Sequence, residues 1–204
     1  MPRNRPVEAL HPETQARNRD ARIVAALERI SEVLRNLAWE TGASIDLSPL
    51  QVQLLAYLHG HESGCLLAVD LAARFHLSKP TVSVALRGLE SKGFITQHPS
   101  QVDGRAKTIV LTAKGRSAAG RCAAHLDALL PPLRGLPDAE RTALYSALFK
   151  LLDGARRAGM VRADRMCVTC AHYTMKRGRP FCALLERLMA PEDHRLDCPE
   201  HQAA

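Results

Sequence analysis

The sequence predicts a mainly α-helical chain with one small β-hairpin and a cysteine-rich end. Three observations predict it. Apolar residues recur at helical spacing through most of residues 14–157. The period drops to two only over the short runs 94–98 and 107–112. Four of the six cysteines fall within residues 167–198, where apolar periodicity is lost.

The 204 residues, 46% hydrophobic, suit one domain with a small appendage and exclude a wholly disordered chain. No apolar run approaches the ~20 residues of a bilayer span. Met1 to Asp20 holds four Arg and three Pro without an apolar signal core. The expectation is a soluble cytoplasmic protein with a flexible start over 1–17, a main domain over 18–160 and a separate module over 161–204.

Residues 14–40 read as one long helix, with Ile23, Leu27, Ile30, Leu34 and Leu37 at steps of four and three, widened by Ala26 and Val33. Gly42 is expected to end it. The stripe runs about four turns, more than one lobe would cover, so this helix is expected to dimerise. Ser48-Pro49 opens a second helix, Ser as N-cap and Pro at the first position, with Leu50, Leu54, Leu55 and Leu58 inward. A third covers about 65–75, facing Leu67, Leu71 and Phe75 inward, and His76-Leu77 makes a tight turn. Ser78 caps a fourth helix carrying Val82, Ala85, Leu86 and Leu89, which Gly93 stops.

The two β-type runs flank a polar tip, Pro99 to Arg105, with Asp-Gly turn chemistry. A helix over about 113–130 is expected to stop at Pro131-Pro132. Another, about 138–157, has Leu144, Leu148, Leu151 and Ala155 at heptad spacing and ends at Gly159. Trp39 reads as a packing residue at a helix end, and His59, His61 and His76 as turn or surface residues.

The charge is localised. Between Arg74 and Arg121 nine basic residues face only Glu90 and Asp103, a net +7 that equals the excess of the whole chain. A basic block of this kind is the footprint of a phosphate-binding surface. Helix, turn, capped helix and basic hairpin form a winged helix–turn–helix in outline. Ser78, Lys79, Thr81 and Ser83 give the fourth helix a small polar leading end for close approach to the major groove. Arg87, a turn further on, reaches a base edge or phosphate. Arg105 is a long cation at the wing tip, suited to a narrow minor groove, and Asp103 is placed to brace it.

In order and spacing, residues 18–158 resemble the MarR family of bacterial transcriptional regulators. The carriers are the run Leu71 to Ser83, then Leu89-Glu90-Ser91-Lys92-Gly93-Phe94-Ile95, the wing Asp103-Gly104-Arg105-Ala106-Lys107, and Leu111-Thr112-Ala113-Lys114-Gly115. The resemblance implies a homodimer whose first and last two helices form a dimerisation layer, with a cleft for small ligands beneath it. The DNA-binding surface is expected to comprise Ser78, Lys79, Pro80, Thr81, Ser83, Arg87, Arg105 and Lys107, with Asp103 in it as the brace of Arg105 rather than a contact. Pro80 departs from the family pattern; it is tolerated where an early N–H is unpaired anyway, and it bears on base contacts.

The tail reads Cys167-x2-Cys170-x11-Cys182-x15-Cys198, with His172, His194 and His201 among the cysteines. Four soft ligands, two of them on one knuckle, fit a closed tetrahedral zinc site. The same thiolates suit an iron–sulfur cluster, and redox-active thiols without metal are a third reading. The histidines are substitute ligands. A tail with so few core-forming residues needs such a staple. Cys65 and Cys122 read as buried small hydrophobes.

The function expected is therefore a homodimeric transcriptional regulator, a repressor, on a pseudo-palindromic operator in double-stranded DNA. The four-cysteine site would be structural or would sense metal or redox state, with a small-molecule or redox effector as a further partner. The competing reading is a winged-helix adaptor that docks a protein partner through the cysteine module. No phosphate-cradling glycine loop, nucleophile elbow or HExxH pair supports an enzyme.

Overall fold

The computed structural model describes residues 7–61, 66–99, 107–161 and 165–204. The elements are α1 (Pro12–Arg17), α2 (Arg19–Ala43), α3 (Pro49–His59), α4 (Ala68–Arg74), α5 (Lys79–Ser91), β1 (Ile95–Pro99), β2 (Lys107–Leu111), α6 (Ala113–Ala123), a 3-10 turn over Ala124–Leu129, α7 (Leu130–Arg134) and α8 (Asp138–Arg157). Beyond these, β3 (Tyr173–Lys176), β4 (Arg179–Cys182) and β5 (Arg187–Leu188) form an antiparallel sheet in that order. The fold is mainly helical, with a two-stranded wing, as the sequence predicts.

The expected single first helix is two. Asn18 is extended and caps α2, its side chain accepting from the N–H of Asp20 at 2.8 Å and of Ala21 at 3.2 Å. An Asn at that point satisfies the orphan donors of a new helix better than it continues an old one. Residues 12–17 are accordingly helical. Nor does Gly42 end α2: it lies within the last turn, where a Cβ would stand 2.2 Å from the Leu47 carbonyl. The glycine is there for close approach.

Ser48 and Gln51 form the reciprocal capping box of α3, with Pro49 at its start. Pro131 and Pro132 do not stop a helix. α6 ends at Ala123, and the prolines lie in the first turn of α7, where a missing N–H costs nothing. The three-stranded sheet of the tail was not expected. Its hairpin turn is Arg177-Gly178, both at positive φ (53° and 74°), the signature of a tight two-residue connection.

The chain divides into two compact units: Met1–Gly64 with Gly88–Thr96 and Val110–Asp127, and Cys65–Arg87 with Gln97–Ile109 and Ala128–Ala204. In the first, α3 packs on α6 and α2 around fully buried Val52, Leu54, Leu55, Ala119 and Cys122. In the second, Leu71, Val82 and Leu86 are buried, as are Phe149, Met166 and Met189. Cys122 thus has the buried role expected of it, and burial pushes its thiol up to about 11. Cys65 lies outside the described residues.

Candidate nucleic-acid interface and thiol cavity

The turn between α4 and α5 is set by His76, at φ 51°, whose residue type accepts left-handed backbone more readily than most. The Leu77 N–H donates to the Ala72 carbonyl at 3.0 Å and closes the turn. Ser78 then caps α5: its hydroxyl accepts from the Thr81 N–H at 3.2 Å and pairs with the Thr81 hydroxyl at 2.8 Å. At the other end Gly93 sits at φ 74°, its N–H donating to Glu90 and that of Phe94 to Leu89, the two bonds of a Schellman motif.

Between these caps the helix is two-faced. Val82, Leu86 and Leu89 are buried, while Ser78, Lys79, Pro80, Thr81 and Arg87 are exposed and Ser83 is half-buried. Lys79 and Arg87 make no ion pair among the described residues, so both cations are available to an outside anion. Lys107, at the start of β2, is exposed in the same way. Asp103 and Arg105 lie outside the described residues.

One residue of this face escaped the sequence reading. Val84 is 60% exposed, three residues from both Thr81 and Arg87. Its signal was a β-branched apolar residue at an outward position of a helix whose apolar stripe was already complete. Such a side chain is suited to the methyl group of thymine.

The tail builds a second site. Cys167 and Cys170 lie on one 3-10 turn, closed by the Cys170 N–H donating to the Cys167 carbonyl at 3.1 Å. Cys182 ends β4, and Cys198 opens a turn in which the His201 N–H donates back to its carbonyl. All four cysteines line a single small cavity of about 40 Å³. The Cys167 sulfur accepts from the Arg195 N–H at 3.1 Å. Burial pushes the Cys167 thiol up, that N–H pulls it down, and the facing sulfurs of Cys198, Cys182 and Cys170 push it up again. Among the described residues no three such side chains yet form a ready-made ligand group. The thiols converge without closing on one point.

His172 also lines this cavity; its Nε2 is buried and has no hydrogen-bond partner. The other two histidines face elsewhere. His201 Nε2 pairs with the Thr169 hydroxyl at 2.9 Å. His194 is buried against α8: its ring centroid is 4.9 Å from that of Phe149, and its carbonyl accepts the Tyr145 hydroxyl. Tyr173 completes this aromatic cluster, 3.3 Å from His194 Nε2. The module is thereby anchored on α8.

The apolar stripe of α2 is partly uncovered within one chain, with Leu27, Leu34 and Leu37 half-buried. Ile23, Val24, Ile30 and Val33 are exposed, as are Leu144, Leu151 and Leu152 of α8. Trp39 is 65% exposed and does not pack at the helix end as expected. His61 stacks on Tyr57 at 4.0 Å, a surface role of the expected kind. No described helix is long and apolar enough to cross a membrane.

Residues 45–106 match the MarR family. Among solved structures, Staphylococcus aureus MepR in complex with DNA is 27% identical, covering 64% of this chain and 95% of that one, with a TM-score of 0.57. The same protein in its DNA-binding conformation gives 27% identity, 65% and 97% coverage and a TM-score of 0.58. The transcription regulator MarR from Oenococcus oeni PSU-1 shares the fold at 22% identity, 64% and 98% coverage and a TM-score of 0.53. No curated protein matches the chain significantly.

Proposed function

On the premise that residues 45–106 are a MarR-family winged helix, we propose that the chain is a homodimeric, sequence-specific DNA-binding repressor. The observation that carries this reading is the exposed leading end of α5. It offers Lys79, Thr81, Val84 and Arg87 on a helix of buried apolar rear face, within the stretch that holds the chain's whole net charge. The helix N-terminus adds amide donors for phosphate. The base-edge readers are Thr81, Ser83, Val84 and Arg87, while Lys79, Lys107 and Arg105 serve the phosphates and the minor groove. The DNA-bound state of MepR, a protein of the same fold, supports the reading.

The uncovered part of the α2 stripe supports dimerisation, because an apolar surface of that length is ordinarily buried against a second copy. Two recognition helices related by a two-fold axis read half-sites about one helical turn apart. A dimer seated there with both wings down covers the duplex and blocks access to it, which is the basis for repression.

Selection from a random duplex pool tests the reading. It should enrich a pseudo-palindrome. Thr81→Ala, Val84→Ala or Arg87→Ala should then change which bases are preferred. Lys107→Ala should weaken all duplexes alike and lower the salt slope by about one. Ile30→Asp with Leu34→Asp should leave monomers by light scattering and abolish specific binding. No enrichment, or base preference indifferent to the α5 variants, overturns the DNA reading. A 22.4 kDa mass for the active unmutated protein overturns the dimer. A promoter beside the site that falls when the chain is removed overturns repression.

A further inference from the structure

We propose that the C-terminal module is built around one Zn²⁺ ion held by the thiolates of Cys167, Cys170, Cys182 and Cys198, with His172 donating a hydrogen bond to a ligand sulfur. The site is independent of the DNA reading: residues 45–106 carry that reading, and the tail lies beyond them.

Four thiols on two separate turns and a strand end do not line one cavity without a reason. Their mutual repulsion as thiolates opposes the arrangement, and a divalent cation at the centre reverses that sign. The aromatic cluster around His194 ties the module to α8, but little holds its turns and strands to one another around the sulfurs. Cysteines aside, the module's buried apolar side chains among the described residues are Met166 and Met189, and its sheet ends in a two-residue strand. A module of about 40 residues with so slight a core ordinarily needs a metal or disulfides, and the described cysteines are all free.

The Cys167–Cys170 turn is a metal knuckle in outline. It presents two sulfurs from one 3-10 turn, and a neighbouring backbone N–H, that of Arg195, already donates to one of them. Such N–H to sulfur bonds orient a ligand and disperse its charge. His172 fits the same role. A buried ring nitrogen without a partner demands an explanation, and a thiolate that has gained full negative charge is an acceptor for its N–H.

A zinc ion needs only that the sulfurs close to about 2.3 Å from one centre. Thiolate ligands select zinc over the harder divalent ions.

The experiment is elemental analysis and absorption spectroscopy of the full-length protein purified without oxygen. One zinc per chain and no colour are expected. Replacement by Co²⁺ should give the intense visible bands of a tetrahedral thiolate site. Cys182→Ser and Cys198→Ser should lose the metal, and Cys122→Ser, which is outside the cavity lining, should keep it. His172→Ala should retain one zinc with affinity lowered about 10–100-fold. Should the Cys variants fail to fold, chelation of the unmutated protein serves instead. The β-sheet signal of the tail should fall on zinc removal and return on zinc addition alone. A brown protein containing iron and sulfide overturns the proposal, as does unmutated protein without metal or chelation without structural effect. If His172→Ala empties the site while Cys198→Ser does not, the four-thiolate set is wrong. DNA selection with the same preparation reads the other proposal separately.

Discussion

Gly115 and Gly120 lie one and a half turns apart on α6, and the same substitution in each should act with opposite sign. An alanine Cβ at Gly115 would stand 1.8 Å from the Phe94 carbonyl oxygen and 3.3 Å from the Thr112 hydroxyl. That carbonyl is not free to move. It accepts the Thr112 N–H at 3.0 Å, while the Thr112 hydroxyl donates to Gly93 and caps α6 by accepting the Gly115 N–H at 2.9 Å. Ordinary contact begins at 3.4 Å, so helix and strand root must part by about 1.6 Å, the difference from 1.8 Å. Overpacking of this kind costs about 1–3 kcal/mol and loss of the cap about 1 kcal/mol more. Against this stands a gain of about 1 kcal/mol in helix propensity. The net expectation is a loss of about 1–3 kcal/mol. At Gly120 a Cβ meets nothing within 4 Å, so Gly120→Ala should stabilise by about 0.5–1 kcal/mol. Thermal melts read the contrast, at about 2–4 °C per kcal/mol for a chain of this size. A Gly115→Ala protein melting at or above the unmutated one, or both variants shifting the same way, would refute the reasoning.

Two further outcomes are expected at Cys122 and Tyr145. The Cys122 thiol is held protonated to about 11 by burial, whereas the unfolded thiol ionises near 9. Between those values the unfolded state binds fewer protons, so stability falls as pH rises through that window. Cys122→Ala should flatten the fall in denaturant midpoints from pH 9 to 11, and an unchanged slope would count against the buried thiol. Tyr145→Phe removes the hydroxyl that donates to the His194 carbonyl. It should cost about 0.5–1.5 kcal/mol and speed proteolysis of the tail, with resistance unchanged if that contact does not anchor the module.

What the sequence made legible was whatever local chemistry decides. Ser48-Pro49, Ser78 and Gly93 were recognisable as caps because each satisfies orphan backbone groups by its own side chain or φ. The polar front of α5 was legible because its apolar rear was complete. Misreadings arose where tertiary contact or a competing local bond prevailed. Asn18 looked like an ordinary helix interior, yet its side chain starts a new helix. Gly42 looked like a stop, yet its missing Cβ serves Leu47 in the next turn. The sheet of the tail left little period-two signal because its strands are two to four residues long and mostly exposed. The gathering of four cysteines was foreseeable from spacing, but the orphaned nitrogen of His172 was not, since only folding decides which of three histidines turns inward.

The uncovered part of the α2 stripe has a genetic consequence. If Ile23, Ile30 and Val33 are covered only by a second copy, folding and assembly are one equilibrium, and stability rises with the concentration of chain. A variant with an intact α2 and a disabled α5 would still enter that equilibrium. It would pair with unmutated chains and leave them with one working recognition helix, halving the contact on which specificity rests. Loss of function in α5 would therefore be dominant when both chains are made together. Loss of function in α2 would be recessive, because a chain unable to pair spoils no partner.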